Sequence, residues 1–110
     1  MSPQSQLQEL RKKINPINLQ ILDLLNQRAD IALDIGKAQQ ELGTTFYDPE
    51  REAEMLTELQ QANNGPFSNE TINKLFNEIF HATLNLEEQD ALKKILVQRK
   101  NPDQHTIIEF

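Results

Sequence analysis

An unbroken seven-residue series runs through the N-terminal part of the chain: Leu7, Ile14, Ile21, Arg28, Ile35 and Leu42, with Leu10, Ile17, Leu24, Ile31 and Ala38 beside it. Apolar residues repeating at this interval form the a/d seam of a helix that packs along another long helix. The spacing predicts a first helix from about Ser5 to Leu42, stopped by Gly43. Such a helix is about 57 Å long at 1.5 Å per residue. The segments that follow are too short to cover so extended a seam. A homodimer, with two long helices packed on each other, is the economical solution. Arg28 breaks the apolar rule at one a position. A buried guanidinium stays charged and is costly unless it meets an anion, so the seam predicts an anionic ligand near it.

Proline and glycine divide the rest. Pro16 interrupts the first helix, and an interior proline removes a backbone hydrogen bond. Asn15-Pro16 also reads as a cap followed by a first helical residue, so either one kinked helix or a short helix before a longer one is expected. Asp48-Pro49-Glu50 opens a second helix that runs to about Ala62, with Met55, Leu56 and Leu59 on one side. Asn63-Asn64-Gly65-Pro66 breaks the chain. Ser68 caps a third helix, with Glu70 in its first turn. Its core positions are Ile72, Leu75, Phe76, Ile79, Phe80, Thr83, Leu84 and Leu86, then Leu92, Ile95 and Leu96. It should end before Asn101-Pro102. The expectation is an all-α, three-helix protomer comprising residues 1–100. Residues 101–110, ending in the β-like Thr106–Phe110, read as a linker toward a further domain.

Charge and composition narrow the function. A net charge of −6 argues against a nucleic-acid partner, which would call for a basic patch. A local arginine cluster can still dominate a small anionic site. The acidic residues Glu9, Asp23, Asp30, Asp34, Glu41, Glu54, Glu58 and the Glu87–Asp90 stretch read as solvated faces. No cysteine is present, and His81 and His105 are too few for a histidine metal centre. No signal-like N-terminus and no apolar run of membrane length occur, which predicts a cytoplasmic protein.

Several polar residues lie close to the apolar stripes. Gln39 is eleven residues from Arg28, close to three turns, and shares its side of the helix. Arg11 is far along the same helix, and only an antiparallel partner could bring it across. Asp48, Arg51 and Glu52 share one first turn, and Thr83 and Glu87 are i,i+4 neighbours. Each has a plainer reading. Arg11 and Arg51 could lay their stems over the core from the surface. Asp48 is a cap whatever else it does, and Glu52 an ordinary first-turn acid. Thr83 could be packing filler, Glu87 solvated, and Gln39 alone carries no message. Together they suggest a polar pocket between helices.

Four stretches carry a resemblance. They are Leu10-Arg11-Lys12-Lys13-Ile14, Ile21 to Arg28, Ile35-Gly36-Lys37-Ala38, and Tyr47-Asp48-Pro49-Glu50-Arg51-Glu52. In order and spacing they resemble the all-helical class of chorismate mutases, up to about residue 98. Asn64-Gly65-Pro66-Phe67, Leu75 to Phe80 and Val97-Gln98-Arg99-Lys100 look like the mutase domain fused to 3-deoxy-D-arabino-heptulosonate-7-phosphate (DAHP) synthase in Gram-positive bacteria.

The resemblance implies an intertwined dimer of three-helix protomers and a cofactor-free, metal-free conversion of chorismate to prephenate in aromatic amino acid biosynthesis. By position, Arg28 and a partner copy's Arg11 would clamp the two carboxylates, with Arg51 supporting that end. Asp48, through its backbone, and Glu52 would hold the ring hydroxyl. Thr83 would contact a carboxylate, while Gln39 and Glu87 flank the ether oxygen. The family usually has lysine at position 39. Gln39 keeps a donor but loses the charge, and charge-assisted bonds are roughly twice as strong. Glu87, where many relatives have glutamine, donates only when protonated. Weak activity that rises as pH falls is therefore expected. Lys37 is no substitute, because two residues along a helix turn a side chain away by about 200°. The competing expectations are a regulatory chorismate- or prephenate-binding domain of a fused synthase, a helical dimerisation module, and isochorismate-pyruvate lyase on the same scaffold.

Overall fold

The computed structural model describes residues 2–100, so the linker and the β-like tail lie outside the described residues. Three helices follow one another: α1 (Pro3–Leu42), α2 (Pro49–Ala62) and α3 (Asn69–Lys100). No strand occurs among the described residues. The all-α, three-helix expectation stands. A boundary between Ile31 and Ala32, inside α1, divides the chain into two compact units.

The first helix starts two residues earlier than expected. Ser2 is its cap: the Ser5 amide donates to Ser2 Oγ at 3.1 Å and the Gln6 amide to the Ser2 carbonyl at 3.0 Å. Pro3 then takes the first helical position, where its missing N–H costs nothing. Pro16 does not split the helix, which is continuous through it. Both Pro16 and Lys12 are exposed, so the Lys12 carbonyl that loses its donor faces solvent. At the other end Gly43 adopts φ 75°, the left-handed conformation that suits glycine. The Gly43 amide meets the Gln40 carbonyl at 3.1 Å, and the Thr44 amide meets that of Gln39 at 2.9 Å.

In the first unit the apolar seam is open: Leu7, Leu10, Ile14, Ile17, Ile21, Leu24 and Ile31 are all exposed. Among its described residues only Arg28 and Ala29, near its end, are half-buried.

The second unit contains the core. Asp48 Oδ1 accepts from the Arg51 amide at 3.1 Å, and Pro49 sits at the start of α2. Asn63 organises the connection to α3. Its Nδ2 donates to the Phe67 carbonyl at 2.9 Å and to Asn69 Oδ1 at 2.8 Å, while its Oδ1 accepts from the Gly65 amide at 3.1 Å. Ser68 Oγ accepts from the Thr71 amide at 3.1 Å, the expected cap of α3. Helices α2 and α3 pack together, and Gln60 Nε2 bridges to Asn73 Oδ1 at 2.9 Å. Phe80 is 4% exposed, and its ring lies 6.3 Å from that of Phe76 at a tilt of 54°. Leu75, Leu92, Ile95 and Leu96 were expected in the core but are exposed. Past Leu86, α3 runs on for more than three turns, and Leu92, Ile95, Leu96 and Val97 on it are exposed.

Candidate active site

Exposure along α1 follows a rule that the heptad repeat does not state. In the second unit Ala32 and Gly36 are buried and Gln39 is half-buried. Steps of four and three residues put these on one face. The heptad residues Ile31, Ile35, Ala38 and Leu42, by contrast, are exposed. Thus α1 has an apolar seam and, beside it, a stripe of small and polar residues.

The stripe meets α3 at Glu87, which is only 8% exposed. This corrects the reading of the Glu87–Asp90 stretch as solvated. A Cβ placed on Gly36 would stand 2.9 Å from Glu87 Oε2, 3.5 Å from its Cγ and 3.4 Å from Phe46 Cε1. The carboxyl group therefore rests directly against the α1 backbone. One turn further along α1, Gln39 Oε1 is buried without a hydrogen-bond partner. An unsatisfied buried acceptor costs about 1–3 kcal/mol. The Gln39 main chain is fixed, since its carbonyl accepts both the Thr44 amide at 2.9 Å and Thr44 Oγ1 at 3.3 Å. Gln39 thus combines an anchored backbone with an unmatched side-chain oxygen.

Thr83, one turn before Glu87 on α3, is half-buried, and its Oγ1 donates to the Ile79 carbonyl at 2.7 Å. A hydroxyl has one proton to donate. To bond a carboxylate, Thr83 would have to release Ile79. In the first turn of α2, Asp48 is exposed and engaged as a cap, and Glu52 is half-buried. Arg51 is exposed and pairs with Glu54 through Nη1 at 3.2 Å. An exposed pair of this kind is worth little and breaks readily for a better anion. Arg11 is exposed in the first unit.

Hence the second unit brings Gln39 and Glu87 close to one small-residue stripe, and it groups Asp48, Arg51 and Glu52 on one turn. Two contributors escape the sequence reading: Gly36, which admits the carboxyl, and Phe46, whose Cε1 lies 3.4 Å from where a Gly36 Cβ would stand. A glycine in the interior of a helical repeat is the signal for the first, since it needs a packing reason to be there. Nothing in the sequence marks Phe46.

A surface depression on the outer side of α2, lined by Glu50, Ala53, Glu54, Thr57, Glu58 and Gln61, contains none of these residues. Its carboxylates would repel an anion. Among the described residues no group of histidine, aspartate and glutamate could hold a metal ion, and no helix is long and apolar enough to cross a membrane.

Residues 10–88 match the family model for chorismate mutase type II. The chain is 40% identical over 93 residues to the bifunctional chorismate mutase/prephenate dehydratase of Pseudomonas aeruginosa, covering 80% of this chain and 26% of that protein. It thus spans about a quarter of that relative's length. Chorismate mutase (form II) from Thermus thermophilus superposes with a TM-score of 0.74 at 52% identity, covering 76% of this chain and 94% of that one. Chorismate mutase from Helicobacter pylori, solved in complex with prephenate, gives 0.74 at 34% identity, covering 81% and 96%. The curated relative carries a prephenate dehydratase, where the flanking motifs had suggested a DAHP synthase. All eight expected site positions, from Arg11 to Glu87, fall inside the family match, and the chain belongs to the chorismate mutase type II family.

Proposed function

We propose that this domain is an isomerase that converts chorismate to prephenate by Claisen rearrangement. What carries the reading is the family match over residues 10–88, the stretch in which the expected site positions lie. A relative from Helicobacter pylori binds prephenate, a dicarboxylate of the kind the arginines suit.

The reaction has no proton transfer and no covalent intermediate, so two tasks remain for the protein. It must hold a flexible dicarboxylate in its compact conformer, a positioning effect. It must also stabilise negative charge growing on the ether oxygen, with donors already in place. Arg28 and a second copy's Arg11 take the carboxylates, and Arg51 leaves Glu54 to support them. Thr83 adds a contact there once it leaves Ile79. The Asp48 main chain and Glu52 hold the ring hydroxyl. Gln39 and a protonated Glu87 flank the ether oxygen. For Gln39 to donate, its amide must present the nitrogen, an orientation that also ends the isolation of its buried oxygen. The assembly is a homodimer, because Arg11 works only from another copy and the seam of α1 is open in a single chain. The setting is the cytoplasm.

The fusion partner is a separate matter. Asn64-Gly65-Pro66-Phe67 and Val97-Gln98-Arg99-Lys100 support a DAHP synthase, whereas the Pseudomonas relative supports a prephenate dehydratase. The mass of the native polypeptide and assays for both activities distinguish them.

Loss of chorismate absorbance at pH 5 and pH 7.5, for the wild type and Arg28→Ala, tests the function. Turnover should be present and should fall about 100-fold or more in the variant. It should be faster at pH 5, because ionisation of Glu87 removes a donor and leaves only acceptors. A flat profile between the two would remove Glu87 from the donor role. No turnover at either pH, with saturable prephenate binding, would replace the enzyme by a regulatory domain.

A further inference from the structure

We propose that Gly36 is a positioning residue: its missing side chain leaves the space in which the Glu87 carboxyl group is seated against α1. The activity readout rests on the function proposed above, but the geometry does not.

Nothing in the backbone requires glycine here. Gly43 has the positive φ among the described residues, while Gly36 is helical. Glycine in a helix interior costs about 1 kcal/mol relative to alanine. The reason for it lies in the packing, where a Cβ would come within 2.9 Å of Glu87 Oε2. The neighbouring separations, 3.4 Å to Phe46 Cε1 and 3.5 Å to Glu87 Cγ, need little or no adjustment. Only the carboxyl oxygen has to move, and it is the far end of a flexible side chain. The fold can therefore accept alanine while the carboxyl cannot keep its place. That place matters because Gln39, with its unmatched buried oxygen, stands one turn away on the same face of α1. Glycine at position 36 thus gives up helix stability in return for a defined position of the Glu87 carboxyl against α1, one turn from Gln39.

The test is Gly36→Ala, alone and with Glu87→Asp or Glu87→Ala, in the whole chain. Three quantities are read: thermal unfolding, kcat and KM with chorismate, and the side-chain carboxyl 13C resonance of Glu87 at one pH. In Gly36→Ala the melting temperature should be equal to or above that of the wild type. KM should change by less than about twofold while kcat falls about 10- to 100-fold, the effect of misplacing a reacting group by about 1 Å. The Glu87 resonance should shift. Adding Glu87→Asp, which withdraws the carboxyl by one methylene, should restore part of kcat. In a Glu87→Ala background Gly36→Ala should have no further effect. The proposal is overturned by an unchanged kcat, by an equal loss in the Glu87→Ala background, or by unfolding of Gly36→Ala. If the wild type has no turnover, the function proposed above fails. The Glu87 resonance then decides alone: a shift in Gly36→Ala supports the positioning role, and no shift refutes it.

Discussion

Residues 3–31 and residues 32–100 are both helical, yet they solve the problem of burying apolar surface in opposite ways. The first unit displays its seam: Ile14, Ile17, Ile21 and Leu24 are each more than half exposed. In the second, Ala32, Phe80 and even the carboxylic residue Glu87 are buried. The difference lies in connectivity. A short loop returns α3 against α2, so the second unit closes on itself, whereas a lone helix has nothing of its own to close on. Helices in proteins gain most of their stability from tertiary packing of an amphipathic face, and in the single chain the seam of the first unit is exposed. The α1 ion pairs Glu9–Lys12 and Asp34–Lys37 are exposed and contribute only a few tenths of a kcal/mol each.

The largest expected effect tests the closed unit. Phe80→Ala should lower unfolding free energy by about 3–5 kcal/mol, measured by urea denaturation, because the cavity opens in the core. Leu24→Ala in the open unit is the matching experiment. If a second copy covers the seam, the cost should be about 2–5 kcal/mol and the unfolding midpoint should rise with protein concentration. A cost below about 0.5 kcal/mol, independent of concentration, is what an exposed surface position gives and would leave the seam uncovered in solution.

Smaller effects sharpen the contrast at the polar stripe of α1. Gln39→Lys should raise kcat by about tenfold at pH 7.5, since a charge-assisted bond is roughly twice as strong as a neutral one. It should also reduce the advantage of pH 5 over pH 7.5, because a cationic donor lessens the need for a protonated Glu87. An unchanged rate would mean that position 39 does not reach the ether oxygen. At the bottom of the scale, Asp48→Ala should cost about 1 kcal/mol of stability through loss of the α2 cap, visible as a small drop in melting temperature.

The boundaries of the helices were legible because local chemistry sets them. Gly43 terminates α1, Asp48-Pro49 opens α2 and Ser68 opens α3, each through bonds to residues within a turn or so. Pro16 shows the limit of such reasoning. A proline rule predicts disturbance, but an exposed backbone solvates the orphaned carbonyl and the helix continues. The candidate site was legible in part: Arg28 and Gln39 stood out at and beside the seam, and each is half-buried. Burial of Glu87 could not be read, because an acid followed by Glu88, Gln89 and Asp90 has the signature of a solvated stretch.

What the sequence determined by itself is therefore periodic or local: three helices, their caps, an open heptad seam and an ordered set of arginines specific enough to identify the family. What only the tertiary structure decided is which of two adjoining faces of α1 meets α3. The seam is the more apolar, but the face turned inward is the stripe of Ala32, Gly36 and Gln39. The physical reason is steric as much as hydrophobic. A face without bulky side chains lets the Glu87 carboxyl come within reach of the helix backbone, and closeness between residues as far apart in the chain as Gly36 and Glu87 leaves no periodic trace in the sequence.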